Sequence, residues 1–221
     1  RLMGLASEVF SGQTEVLSES EEHQFKKDRP EHLLKAAYAG VLEEGVQGST
    51  TACIATIDQR HGLLRSANVG DSGFMICRGD PGARLVCHRS PHQEHEFGRP
   101  FQLGHHANSD SPTDAMLTAF PLEPGDIVVM GSDGLWDNLS ESEILEVIEA
   151  VFQGSSASAG LGAENQGVMN KASRALVSAA YTASMDKRRT TPYSLAATEW
   201  FDMVYSGGKK DDITCVVCNV G

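Results

Sequence analysis

The stretch between residues 51 and 87 alternates short apolar runs with short turns rich in glycine and aspartate. The runs are residues 51–57, 63–69, 74–77 and 83–87. Their length and their content of β-branched residues are typical of β-strands. The connections between them are too short for the crossover helices that parallel strands require. The sequence therefore predicts an antiparallel meander of these four strands.

Helical patterns surround this region. The predicted helices are residues 1–10, 31–44, a segment that follows the capping box of Ser140 and Glu143, and about 170–185. Further strands are predicted at 126–130 and 213–220, residues 89–118 are interpreted as loop, and the run at 154–162 as a flexible insertion. This order of elements indicates an α+β fold. We expect an antiparallel β-sandwich flanked by helices.

Composition narrows the function classes. A chain of 221 residues corresponds to a single domain. Its net charge of −12 argues against a nucleic-acid partner, which would need a basic face. No apolar run approaches the ~18 residues that a membrane span needs, so no membrane insertion is expected. Five cysteines, an odd number set mostly in strand-like runs, are typical of reduced thiols in an intracellular protein.

Acidic residues recur in glycine-containing turns that adjoin predicted strands. The three turns contain Asp71, the pair Asp133 and Asp137, and the pair Asp211 and Asp212. Aspartate is common in turns because it bonds to its own backbone, so any one of them is unremarkable as a turn former. If the strands are neighbours, however, the carboxylates converge, and crowded carboxylates need a proton or a cation.

A cluster of oxygen ligands suits hard cations, and here we expect two or more Mg²⁺ or Mn²⁺ ions. A water that bridges two such ions, about 3.5–4 Å apart, becomes a nucleophile near neutral pH. A phosphate ester is the natural substrate for that chemistry.

Four short motifs occur in an order that resembles a known family. They are Gly48-Ser-Thr-Thr-Ala52, Asn68-Val-Gly-Asp-Ser72, Ser132-Asp-Gly-Leu-Trp-Asp137 and Lys210-Asp-Asp-Ile-Thr214. In this order they resemble motifs of the metal-dependent Ser/Thr protein phosphatases of the type 2C class, the PPM family. The details resemble its organellar branch, the homologues of T-cell-activation protein phosphatase. The resemblance implies a four-layer α-β-β-α fold, a phosphoprotein substrate and a monomer.

The resemblance also implies a role for each acid. Asp133 and Asp211 match ligands of the central two-metal site, and Asp71 and Asp137 match acids that hold an additional, weaker ion. Asp212 is expected to lie behind the ligands and to support them. Trp136 is expected to pack in the core under the acidic turn. Mitochondrion or chloroplast is the compartment that the resemblance implies.

One family motif, an Asp-Gly pair in a glycine-rich segment near the N-terminus, does not occur in the sequence. We therefore expect that the domain lacks its N-terminal part, and two hypotheses follow. In the first, the protein hydrolyses phosphoserine and phosphothreonine through the bridging water. In the second, it is a phosphatase-like binding module without turnover.

Overall fold

The computed structural model describes residues 29–154 and 163–221. The helix predicted at 1–10 and residues 155–162 of the predicted insertion lie outside the described residues. The chain divides into two compact units. Unit 1 comprises residues 29–71 and 92–122, and unit 2 comprises residues 72–91, 123–154 and 163–221. The single domain stays a prediction.

The helices and strands alternate irregularly along the chain, as the α+β prediction requires. In chain order they are α1 (Pro30–Glu43), β1 (Ser49–Thr50), β2 (Ala52–Asp58), β3 (Leu63–Val69), β4 (Gly73–Arg78), β5 (Leu85–Arg89), β6 (Glu94–Glu96), β7 (Arg99–Pro100), β8 (Leu103–Gly104), β9 (Met116–Pro121), β10 (Ile127–Gly131), α2 (Asp133–Trp136), α3 (Glu141–Gln153), α4 (Ala163–Met185), α5 (Pro192–Phe201) and β11 (Cys215–Asn219).

Unit 1 is built on an antiparallel sheet with the strand order β2-β3-β9. Helix α1 begins at Pro30, whose fixed φ suits the first helical position. Its apolar face, formed by Leu33, Leu34 and Ala37, packs against β2 and β3. Leu34 is fully buried, and burial of a side chain of this size contributes about 1.5–3 kcal/mol.

Unit 2 is built on a four-stranded antiparallel sheet with the order β11-β10-β4-β5. Helices α3 and α4 pack against each other, and α4 also packs against β11. Ile144, Ile148 and Leu176 from these helices are fully buried in one core with Met75 and Val129 of the sheet. This core supports the end of β10, where the acidic turn begins.

The predicted meander of four strands is wrong, because the chain builds two hairpins in two different sheets. Strand β3 pairs with β2 on one edge and with β9 on the other. Strand β4 pairs with β10 and with β5. Both edges of β3 and of β4 are therefore occupied, and the two strands do not pair with each other. The partners β9 and β10 come from distant positions in the sequence, which turn spacing does not reveal.

The elements of two further regions were not predicted. Residues 89–118 were interpreted as loop, but they contain the short strands β6, β7 and β8 and the start of β9. Helix α5 begins after Thr191, whose side chain accepts from the Ser194 N–H in a capping box. The sequence Thr191-Pro-Tyr-Ser194 carries this signal, because proline suits the first turn of a helix.

All five cysteines are free thiols, as the sequence predicted. Burial raises the pKa of Cys77 and of Cys215 to about 12, so both are neutral thiols at physiological pH. None of the helices within the described ranges has the length and apolar content that a bilayer crossing requires.

The capping box of α3 generates a prediction about acid stability. Glu143 accepts from the Ser140 N–H at 2.9 Å and from the Arg189 guanidinium. Burial alone would raise the pKa of Glu143, but the Ser140 hydrogen bonds and Arg189 hold it below its ordinary value of 4.5. This contribution to stability is complete above pH 4.5 and is lost as the pH falls through the lowered value.

The substitution Glu143→Gln keeps the capping geometry and removes the charge. We expect it to lower the free energy of unfolding by roughly 0.5 kcal/mol at pH 7, because the pair with Arg189 is partly exposed, and to have a smaller effect at pH 3, because protonation of Glu143 removes part of its contribution. Urea denaturation at both pH values measures this, with the exposed Glu146→Gln on the same helix as control. An equal loss at both pH values would contradict the argument.

Candidate metal centre

Strand β10 places Asp133 at one end of the strands of the sheet in unit 2. The strand ends at Gly131, and Asp133 is the first residue of the short helix α2. Trp136 fixes this turn, because its indole N–H donates to the Gly131 carbonyl at 2.8 Å. The Arg89 guanidinium lies 3.7 Å from the centre of the same ring. Trp136 is 5% exposed and belongs to the core, which confirms its predicted packing role.

Ser132 joins this turn to the segment that enters β11. Its hydroxyl donates to the Asp212 carbonyl at 3.0 Å and accepts from the Thr214 N–H at 3.1 Å. Its backbone N–H donates to the Thr214 carbonyl, also at 3.1 Å. Two acidic turns that lie far apart in the sequence are therefore held side by side by one serine.

Gly134 allows the two turns to approach closely. A Cβ atom on Gly134 would lie 2.5 Å from the Asp212 carbonyl oxygen and 3.1 Å from its carbonyl carbon. Both atoms belong to the backbone, which cannot move away cheaply. This position therefore requires glycine for its size, because a positive φ is not involved.

Asn138 connects the same turn to Lys209. Its side-chain amide donates to the Gly134 carbonyl at 2.9 Å and to the Lys209 carbonyl at 2.8 Å, and its oxygen accepts from the Lys209 N–H at 3.0 Å. Asn138 is completely buried. Its removal would leave buried backbone groups without partners, which costs about 1–3 kcal/mol for each group.

Three carboxylates meet at the Lys209 ammonium. Its Nζ lies 2.7 Å from Asp133 Oδ2, 2.7 Å from Asp137 Oδ2 and 3.4 Å from Asp211 Oδ2. The four side chains are between 19% and 37% exposed, so the cluster is open to solvent. The predicted convergence of Asp133, Asp137 and Asp211 therefore exists within unit 2.

The charges in the cluster stabilise one another. Burial alone would lower the pKa of Lys209, but its hydrogen bonds to Asp133 and Asp137 raise it well above the ordinary value. Burial would raise the pKa of Asp211, whereas the hydrogen bond from the Asp212 N–H and the charge of Lys209 bring it below its ordinary value. The Asp211 carboxylate is therefore held ionised, and the Lys209 ammonium is held protonated.

The other two predicted residues are Asp212, in unit 2, and Asp71, in unit 1. The Asp212 side chain is exposed, but its backbone N–H donates to Asp211 Oδ1 at 2.8 Å and orients that carboxylate. Asp71 is buried and belongs to unit 1, whereas the other four acids belong to unit 2. The individual metal roles of all five acids stay predictions.

Sequence reasoning missed Lys209 and Asn138. Lys209 directly precedes the last acidic motif, and in the sequence a lysine beside acids is typical of an ordinary surface charge. Asn138 follows the acidic turn and looks like a turn former. A basic residue within a pattern of converging acids was the available signal for Lys209.

Among the described residues, no group of three or more His, Cys, Asp or Glu side chains surrounds a point that could hold a metal ion. The geometry of the cluster explains this finding, because the three carboxylates converge on the Lys209 nitrogen instead of on a free point. The donor set nonetheless fits a hard divalent cation, since it consists of carboxylate oxygens gathered around a positive charge.

The comparisons with known proteins identify the family. The family Stage II sporulation protein E (SpoIIE) matches residues 3–221. A protein phosphatase PTC7 homolog fig from Drosophila grimshawi is 33% identical over 100% of this chain and 71% of its own length. The chain belongs to the family of PPM-type protein phosphatases. A PTC7 homolog fig from Drosophila ananassae is 34% identical over 91% of this chain, which spans 59% of that relative.

Two solved structures of phosphatases are similar to this chain. The photosystem II phosphatase PBCP is 30% identical, with a TM-score of 0.77 over 100% of this chain and 78% of its own. The catalytic domain of the phosphatase PstP, in complex with two manganese ions, has a TM-score of 0.51 at 16% identity over 100% of this chain and 81% of its own. The latter shows the fold alone. The predicted α+β fold of the type 2C phosphatases is confirmed.

The close approach at Gly134 generates a prediction. We expect Gly134→Ala to destabilise the protein by about 1–3 kcal/mol, because the new methyl group overlaps the Asp212 backbone. The matched control is Gly167→Ala in helix α4, where a Cβ meets nothing within 4 Å. That substitution should add up to about 1 kcal/mol through helix propensity. Urea denaturation of both variants measures the change, and an unchanged free energy of unfolding in Gly134→Ala would contradict the packing argument.

Proposed function

We propose that the protein is a metal-dependent phosphatase that hydrolyses phosphoserine and phosphothreonine in protein substrates. The observation that carries this proposal is the meeting of Asp133, Asp137 and Asp211 around one positive charge. Membership of the PPM-type family supports the reaction class, and the two manganese ions of PstP support the choice of cofactor. The chain spans 59% of the first Drosophila relative, so the activity of the whole protein is part of the proposal.

Asp133 and Asp211 would hold the principal divalent ions, with Asp137 beside them. When bound, Mg²⁺ or Mn²⁺ supplies Lewis-acid activation of water and of the phosphoryl oxygens. The Asp212 N–H keeps the Asp211 carboxylate in one orientation. The Ser132 hydrogen bonds hold the two acidic turns at a fixed spacing, so that little reorganisation is needed when a cation enters.

Lys209 stabilises the cluster as an internal counterion. A divalent ion at the same point requires the ammonium to move away, because the two positive charges repel each other. The lysine stem is long and flexible, so the ammonium can be displaced without unfolding the turn. The protein therefore carries its own competitor for the metal.

The remaining parts of the proposal concern partners and compartment. We propose a monomer, because all three carboxylates of the cluster come from one chain. The net charge of −12 supports a function without nucleic acid. The five free thiols support a reducing, intracellular environment, and mitochondrion or chloroplast follows from the resemblance to the organellar branch.

The first test is Asp133→Ala in the full-length protein. We expect hydrolysis of a phosphothreonine peptide with Mn²⁺ to fall to background, because a principal ligand is lost. The control is Asp80→Ala, which removes an exposed acid in the loop between β4 and β5. Calorimetric titration with Mn²⁺ gives a second readout, in which binding should weaken for Asp133→Ala alone. Retained hydrolysis in Asp133→Ala would refute the assignment.

The second test is Lys209→Met. We expect Mn²⁺ to bind this variant several-fold more tightly, because the ammonium no longer competes. In EDTA the variant should melt about 2–4 °C lower, since three carboxylates then lack their counterion. Lys210→Met, which removes an exposed neighbouring charge, is the matched control. Unchanged Mn²⁺ affinity in Lys209→Met would show that the ammonium does not compete for the site.

A further inference from the structure

An exposed apolar ridge lies at the C-terminal end of helix α5 in unit 2 and continues into the segment after it. It consists of Trp200, Phe201, Met203, Val204 and Tyr205. Trp200 is 59% exposed, Met203 is 64% exposed and Val204 is 94% exposed. Contiguous apolar side chains at a protein surface are unfavourable in water and commonly mark a site of interaction.

Hydrogen bonds fix the backbone of this ridge. The Tyr205 N–H donates to the Thr198 hydroxyl at 2.9 Å, and the Phe201 and Tyr205 rings lie 5.5 Å apart. Asp202 adopts a left-handed conformation with φ of 51°, which reverses the chain at the end of α5. The exposure of Met203 and Val204 is therefore a consequence of a defined local fold.

Glycines fix the far end of the segment. The Gly207 N–H donates to the Arg189 carbonyl at 2.7 Å, and the Gly208 N–H donates to the Asp186 carbonyl at 3.0 Å. A Cβ on Gly208 would lie 2.2 Å from the Ala183 carbonyl oxygen. The segment is thus packed against the chain that precedes α5, and it leads directly into Lys209.

The ridge lies within peptide reach of the acidic cluster. Helix α5 starts beside the cluster, because the Tyr193 N–H donates to the Asp137 carbonyl at 3.0 Å and Lys209 Nζ lies 5.8 Å from the Tyr193 ring. The helix has 10 residues, which corresponds to about 15 Å. An extended peptide covers that distance with about four or five residues.

Both signs of charge occur around the ridge, and the basic side chains can meet an anionic group of a partner. Lys187, Arg188 and Lys210 are exposed, as are Glu199 and Asp202, in a chain with a net charge of −12. The Ser206 hydroxyl donates to the Lys187 carbonyl at 3.3 Å, so this basic segment adjoins the base of the ridge. Cations beside an apolar surface complement a peptide that carries both a phosphate group and apolar side chains.

We propose that the apolar ridge determines substrate specificity by binding apolar side chains that lie about four or five residues from the phosphorylated serine or threonine. This inference rests on the proposed function, because it gives the substrate of the same site a chemical class. Apolar contact at a fixed surface favours such substrates over equally charged ones that lack the apolar residue.

The test compares two phosphothreonine peptides. One carries leucine at the positions four and five residues before and after the phosphothreonine, and the other carries alanine at the same positions. The full-length protein with Mn²⁺ should show a kcat/KM on the order of tenfold higher for the leucine peptide. The double variant Met203→Ser/Val204→Ser should bring this ratio close to one. The control Leu85→Ser, at a 72% exposed apolar position on β5, should keep the original ratio. A ratio near one in the unchanged protein, or an unaltered ratio in the double variant, overturns the proposal.

Separate readouts distinguish this proposal from the proposed function. If the unchanged protein with Mn²⁺ hydrolyses neither peptide nor p-nitrophenyl phosphate, the proposed function fails. Fluorescence anisotropy of the labelled leucine phosphopeptide then tests the ridge, with binding on the order of tenfold weaker in the double variant as the supporting result. Equal binding overturns it. The proposal is also overturned if the double variant loses binding to phosphatidylserine vesicles, or loses a dimer that the unchanged protein forms, while its affinity for the peptide stays the same. The first outcome would assign the ridge to a membrane surface and the second to another copy of the chain.

Discussion

Electrostatic repulsion among three neighbouring carboxylates is the constraint on which the site in unit 2 depends. The carboxylates of Asp133, Asp137 and Asp211 repel one another at short range, and a positive charge among them offsets that repulsion. The Lys209 ammonium supplies that charge. The site therefore gathers carboxylate oxygens around one positive charge, and such oxygens are the ligands that hard cations prefer.

Uncharged residues fix the positions of these charged side chains. Ser132 and Asn138 connect backbone segments that belong to different turns, and Gly134 leaves the space in which they meet. Because these residues act through backbone atoms, the positions of the acids are set by the fold itself. Long side chains on a mobile loop would give a looser arrangement.

The sequence predicts features that depend on neighbouring residues, but it does not predict contacts between residues that lie far apart in the chain. The strand β10, the capping box of Ser140 and the acidic turns follow from short patterns, and they were predicted correctly. The pairing of β3 with β9 was not, because a strand's edge partners depend on the whole topology. The convergence of Asp133 and Asp211 followed from family resemblance and physical reasoning. The sequence placed a basic residue beside these acids, but the contacts of Lys209 with three carboxylates required coordinates, since its side chain has four rotatable bonds.

The central strand of unit 2 has a consequence for how the protein reaches its native state. Strand β10 pairs with β4, more than fifty residues earlier, and with β11, more than eighty residues later. Both long loops must close before the sheet exists, and such closures slow folding. In a nascent chain the acidic turns accordingly remain separate, and the carboxylate cluster around Lys209 can form only after synthesis has passed β11.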